Sequence, residues 1–260
     1  MDLNRSSNLD NCFALSAVCH LVHSREDYLS MYLSGVQHKL EHPSELVRMK
    51  AACCILRFIK IIPSYVSELQ DNCRKLLCDK DPGVMSMGVK LQLELLKKGM
   101  QTSPNLTSDL IKIQQQITNR SLPSSFEYHG IPLPWLQIDI LRALALLGRE
   151  NKKISEDMYP LLRNVLDQTD MREKMTYAIL YECIVTISSI LPHRELLTEG
   201  CNKVKKLISS TSYVVKSMGV KALSHLMSKS PENCQVIVAE LLNDPDPSIQ
   251  SKIADLQSAM

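Results

Sequence analysis

Apolar residues in SELVRMKAACCILRFIKII (44–62) recur at three- and four-residue steps, at Leu46, Val47, Met49, Cys53, Ile55, Leu56, Phe58, Ile59 and Ile62, with Arg48, Arg57 and Lys60 as interruptions. That period is helical and the apolar face is wide. The same pattern returns along the chain, with anchors near Asn11, Val47, Val84, Leu136, Met175, Val215 and Ile249. Most neighbouring anchors lie 34 to 40 residues apart. Between them run shorter amphipathic segments, 25–40, 64–77, 155–166 and 196–208. The pentapeptide SMGVK occurs twice, at 86–90 and 217–221, each time early in a long helical segment. A helix pair repeated at this interval is the signature of a two-helix solenoid, whose units close their apolar sides only by stacking. No run alternates with period two, and no Asn-Gly or Asp-Gly pair marks a hairpin. The expected fold is therefore all-α, a right-handed α-solenoid of HEAT/armadillo-like repeats, with residues 1–260 forming a single stack.

Proline-bearing turns such as HPSE, DKDPG, LPH and NDPDP separate the helices, with serine or aspartate placed to cap the next one. One interval is longer because proline excludes helix from much of NRSLPSSFEYHGIPLP (119–134), which is expected to run as an extended strap. Pro134 then starts a helix from its first turn. From Trp135 to Gly148 the only polar residues are Gln137, Asp139 and Arg142. Such a helix suits the inner layer of a solenoid, where partner and both neighbouring repeats cover it. Trp135 is expected to pack the strap against the stack, and if fully enclosed its truncation would cost ~3–5 kcal/mol. Gly148 is assigned the left-handed stop.

Composition narrows the functional classes. Thirty basic against 28 acidic residues leave a formal charge of +2, too balanced for a surface built around a phosphate backbone. Nine cysteines, an odd number without a C-x-x-C, sit among helical apolar positions and read as small core residues in a reducing compartment. The apolar run at 12–22 lacks the basic approach and cleavage site of a signal peptide, and no stretch reaches the ~18 apolar residues of a membrane span.

Candidate chemistry is sparse. HKLEH (38–42) has the spacing that could set His38 and His42 one turn apart beside Glu41, but Pro43 biases His42 out of helix and no third ligand is apparent. His20 and His23 lack a completing ligand. There is no phosphate-binding glycine loop, no G-x-S-x-G and no local signature of a nucleophilic cysteine. Basic clusters at Lys97 and Lys98, at Arg149, Lys152 and Lys153, and at Lys203, Lys205 and Lys206 read as solvated faces, with attraction to an acidic surface as the functional alternative. No catalytic, cofactor-binding or metal residue is assigned, and no cofactor.

The segments VRMKAACCILRFIKIIPSYV, LCDKDPGVMSMGV, YHGIPLPWLQIDILRALALLGR, MTYAILYECIVTI, GVKALSHL and NDPDPSIQ, in this order and spacing, resemble the helical trunk of the large adaptins. The likeness is greatest to the epsilon class of the fourth adaptor complex, with the gamma class as rival. It implies a non-enzymatic subunit of a heterotetrameric vesicle coat adaptor acting in protein transport. The implied partners are a beta-type large adaptin, a medium (mu) chain and a small (sigma) chain. An Arf-class small GTPase and cargo would engage the assembled complex, peripherally on trans-Golgi or endosomal membranes. Neither nucleic acid nor a small-molecule substrate is implied. Against the family pattern this sequence is shortened at both ends, so both ends of the stack are expected to expose apolar faces. A second reading is an independent helical-repeat scaffold that binds an extended peptide.

Overall fold

A computed structural model describes residues 7–21, 26–61, 66–100, 102–103, 105–169, 173–242 and 246–258. Among these are thirteen α-helices and one two-stranded hairpin. The chain divides into two compact units, the line falling after Leu110.

In the first unit, α1 (Asn8–Leu21), α3 (Glu45–Ile61) and α5 (Pro82–Lys97) pack side by side, while α2 (Glu26–Lys39) lies on α3 and α4 (Val66–Leu77) on α5. Leu15, Val18, Ile55, Phe58, Leu69 and Leu91 are among the residues that close its core. Asp81 accepts from the Val84 N–H at 2.9 Å and caps α5, whose first residue is Pro82. Arg48 interrupts the apolar run of α3 without leaving the interior. It is buried, its Nε and Nη2 lie 2.8 Å from the two oxygens of Asp79, and Nη1 donates to the carbonyls of His42 and Pro43. One guanidinium thus bonds the backbone carbonyls of one turn and the carboxylate of the next.

α6 (Leu106–Thr118) carries the dividing line and continues into the second unit, where α7 (Pro134–Gly148), α9 (Lys174–Ser189), α11 (Tyr213–Met227) and α13 (Pro247–Ser258) pack in sequence. α8 (Lys152–Gln168), α10 (Arg194–Ile208) and α12 (Pro231–Leu241) form a second layer against them. Every anchor of the sequence period falls in an odd-numbered helix, so within each unit the apolar repeat marks one layer. α7 is interior as expected, with Leu136, Ile140, Leu141 and Leu144 almost wholly buried.

The repeated SMGVK has a steric reason. A Cβ at Gly88 would lie 2.8 Å from the Leu76 carbonyl carbon, and one at Gly219 would lie 2.8 Å from Ile208 Cγ1. Each glycine lets an odd helix press against the last turn of the helix before it. Val89 and Val220, the next residues, are buried beside them.

Two expectations differ from what is found. Gly148 is not a left-handed stop: it lies inside α7, where a Cβ would collide with Met158 Cε and sit 2.7 Å from Ile190 Cγ2. The left-handed link is Glu150, with φ 62°, after which Asn151 caps α8 through the Ile154 N–H at 3.1 Å. The segment 119–134 is not one extended run. It holds a turn of 3-10 helix at Ser124–Phe126 and pairs β1 (Glu127–Tyr128) with β2 (Ile131–Pro132), Tyr128 opposite Ile131. The linking residues His129 and Gly130 have φ of 50° and 75°, the type I′ geometry of tight hairpins, here with histidine at the position asparagine usually holds.

Candidate partner-binding surface

The residues HKLEH do not assemble. α2 ends at Lys39, and Glu41 lies in a turn where its carboxylate meets Lys75 Nζ at 3.0 Å. That hydrogen bond and the lysine's charge hold the carboxyl below its ordinary value. His42 Nδ1 accepts the Ser44 N–H at 3.1 Å, and burial together with nearby Lys39 and Arg48 lowers its pKa. Among the described residues no three of His, Cys, Asp or Glu are grouped to hold a metal. His20 is exposed on α1, while His23 lies outside the described residues. Lys97, Lys98, Arg149, Lys152, Lys153 and Lys206 are exposed at or near helix ends. No helix among the described residues is long and apolar enough to cross a membrane.

What the second unit offers is a surface. On α7 only Trp135 and Arg142 are exposed, Asp139, Leu146 and Leu147 are half-buried, and Trp135, Asp139, Arg142 and Leu146 fall at i, i+4, i+7 and i+11 on one strip. Arg142 crosses from that strip to α9, its Nε 2.9 Å from Glu182 Oε2 and a terminal nitrogen 3.8 Å from Asp139. Glu182 is otherwise buried, so this contact compensates a carboxylate removed from water. From α9, Tyr181 reaches α11: its hydroxyl lies 3.4 Å from His225 Nε2, and the two rings meet edge to face. Burial raises the Tyr181 pKa, with the Glu182 charge adding to it, so the phenol remains protonated. At the start of α11, Tyr213 and Val214 are exposed, and Lys252 of α13 lies over the Tyr213 ring while bonding its hydroxyl at 3.1 Å. The strips of three helices are thus tied side by side. Thr186, donating to the Leu141 carbonyl at 3.0 Å, pins α9 to α7 beneath them.

The hairpin borders the α7 end of this surface. Tyr128 stands edge-on to Trp135 with centroids 4.9 Å apart, and His129 stands edge-on to Tyr128 at 4.4 Å. Trp135 does pack the strap, but its ring is not enclosed: the residue is 54% exposed and Tyr128 44%. Three side chains hold the hairpin. Arg120 bonds Glu127 at 3.2 Å and the Gly130 carbonyl at 3.1 Å, Gln137 donates to the Pro132 carbonyl at 2.8 Å, and Gln114 donates to Gln137 at 2.9 Å. A cavity of about 320 Å³ lies between the hairpin, the end of α8 and the start of α9, lined in part by Arg120, His129, Gln137, Thr169 and Glu173.

Trp135 and Arg142 are discernible in the sequence as the bulky aromatic and the polar exception of an apolar helix. Tyr181, Glu182 and His225 are not. Their signal is a partner about one repeat away, 40 residues for Arg142 with Glu182 and 44 for Tyr181 with His225, which has meaning only after the helices are stacked.

Residues 1–260 match the family model described as "Adaptin N terminal region". The chain is similar to "AP-4 complex subunit epsilon-1" of Mus musculus, 34% identical over 98% of this chain and 23% of that protein. It is similar to "AP-4 complex subunit epsilon" of Arabidopsis thaliana, 37% identical over 98% of this chain and 27% of that protein. The chain therefore spans about a quarter of the length of these relatives. Among solved structures it resembles a chain of a "Homology model of the full-length AP-3 complex in an intermediate open conformation", with TM-score 0.73 at 18% identity over 98% of this chain and 43% of that one. At that identity the likeness carries the fold.

Proposed function

Because this chain belongs to the adaptin N-terminal region family, we propose that it is a wall of a vesicle coat adaptor, holding partner chains against the strip formed by α7, α9 and α11. The adaptin trunk is non-catalytic, and its work is to present surface. In this reading the chain is trunk from an epsilon-type large subunit, and its partners are a beta-type large adaptin, a medium chain and a small chain. An Arf-class GTPase recruits the assembly to trans-Golgi or endosomal membranes, where it gathers cargo, with membrane association peripheral.

One observation carries the assignment of the surface: Trp135, Arg142, Tyr181 and Tyr213, of the residue types that dominate binding energy at interfaces, stand on helices fixed by Arg142–Glu182 and Tyr181–His225. Because those crossings already order the side chains, a partner that docks there loses little further conformational freedom. The test is affinity purification of the tagged chain from cells, with the bound chains identified by mass spectrometry. Wild type is expected to recover a small sigma-type chain, and the double substitution Trp135→Ala with Tyr181→Ala to lose it while keeping its helical circular dichroism. Recovery of no adaptor chain by folded wild type would overturn the proposal. Capture of an extended peptide in place of adaptor chains would support the independent scaffold.

A further inference from the structure

We propose that Cys19 and Cys54 form a peroxide-sensitive thiol pair, a modification site at which a reversible disulfide joins α1 to α3. The two sulfurs stand 3.0 Å apart, the closest approach among the described thiols, between helices that pack directly on each other. The residues are 35 apart in sequence, about one repeat, so the stacking of helix pairs brings them together. A disulfide bond is about 2.0 Å long, so closure asks the sulfurs to approach by roughly 1 Å.

The surroundings of the two thiols differ in the way a stepwise oxidation needs. Cys54 is wholly buried and its S–H points at the Leu15 carbonyl, 3.1 Å away. Cys19 is half-buried and is the more accessible of the two. Lys50 and Arg57 lie four residues before and three after Cys54 on α3, so positive charge flanks the pair. Once Cys19 ionises, the Cys54 S–H can turn from Leu15 to the thiolate. That hydrogen bond comes first among the causes that lower the Cys19 pKa; burial opposes it, and Lys50 and Arg57 add to it. Cys54 is pushed the other way, by the same contact and then by burial, and remains a thiol. The nucleophile is therefore the accessible member.

The chemistry balances with hydrogen peroxide as oxidant. Cys19 thiolate attacks one peroxide oxygen, the O–O bond breaks, hydroxide leaves, and the sulfur is oxidised by two electrons to sulfenic acid. Cys54 sulfur then displaces the sulfenic oxygen, its proton leaves with that oxygen as water, and the S–S bond forms. A dithiol reductant reverses the step by exchange. The other close pair among the described thiols, Cys201 with Cys234, lies farther apart at 3.9 Å and has both members buried. Cys73, whose thiol burial pushes up to about 12, is a second internal control.

Reduced, full-length chain treated with graded hydrogen peroxide, alkylated and digested without reductant should yield a Cys19–Cys54 linked peptide as the first cross-link. Dithiothreitol should erase it, and Cys73 should stay unmodified. Hydrogen exchange of the α1 amides should slow on oxidation. In Cys54→Ala a dimedone adduct should accumulate on Cys19, and should that variant fail to fold, the wild-type peptide map decides alone. Oxidation confined to exposed Cys78, or a Cys19 that alkylates equally before and after peroxide, would overturn the proposal.

Discussion

Alanine at Gly88 puts two known effects in opposition. Within a helix interior, replacing glycine by alanine gains about 1 kcal/mol, because the unfolded chain has less freedom to lose. Here the new Cβ would stand 2.8 Å from the Leu76 carbonyl carbon, 2.9 Å from the Leu77 nitrogen and 3.0 Å from the Leu76 oxygen. All three are backbone atoms at the end of α4, and no rotamer change moves them aside. Comfortable contact between carbon atoms begins near 3.5 Å, so α5 must retreat from α4 by roughly 0.7 Å and weaken its packing along that contact. Overpacking of this kind costs about 1–3 kcal/mol, and rigid backbone neighbours put this contact in the upper part, about 2–3 kcal/mol, so after the helical gain a net loss of about 1–2 kcal/mol remains. Gly200 supplies the control: its nearest neighbours to an added Cβ are the Leu226 methyls at 3.8 and 3.9 Å, ordinary contact, so Gly200→Ala should be neutral or stabilising. Urea unfolding followed by far-ultraviolet circular dichroism should place the Gly88→Ala midpoint below wild type and the Gly200→Ala midpoint at or above it. A Gly88→Ala chain as stable as wild type would refute the steric reading of the SMGVK at 86–90.

Asp79→Asn should cost about 3 kcal/mol at neutral pH, because it leaves the buried Arg48 guanidinium without its anion. Burial works against the Asp79 carboxylate, but hydrogen bonds from Arg48 and from the Asp81 N–H outweigh it and the pKa is lowered. Its contribution is therefore whole above the unfolded value of about 3.9 and lost as pH falls through the folded value, so acid titrations of wild type and Asp79→Asn should converge at low pH; parallel curves would contradict this. Trp135→Ala should destabilise by only about 1–2 kcal/mol, since the half-exposed ring loses chiefly its contact with Tyr128, and a loss above 3 kcal/mol in the same urea assay would show an enclosed ring. Gln137→Leu leaves the Pro132 carbonyl and the Gln114 amide without their partner, and hydrogen exchange across 127–132 should quicken, with unchanged exchange counting against the clamp.

The odd-numbered helices were legible because burial on several sides leaves an unusually complete apolar run, as in 135–148, and because a solenoid repeats that requirement at a nearly fixed interval. Less could be read from residues whose type is compatible with opposite environments. Trp135 counts as apolar, yet an aromatic ring can pay for partial exposure by packing edge-on to Tyr128. Glycine permits a left-handed backbone at 148, whereas the absent Cβ is what the site uses, and left-handed geometry falls to Glu150, where single-residue preference argues against it. The polar exceptions on the apolar helix show where sequence reading stops. Gln137, Asp139 and Arg142 all announce a break in burial, but Gln137 turns to hold the hairpin while Asp139 and Arg142 lie along the exposed strip. Their roles are decided by Pro132 and Glu182, one on the strap and the other 40 residues beyond Arg142. A polar residue on an inner helix is thus a visible demand for a partner, and stacking decides whether that demand builds the core or the surface that another chain can bind.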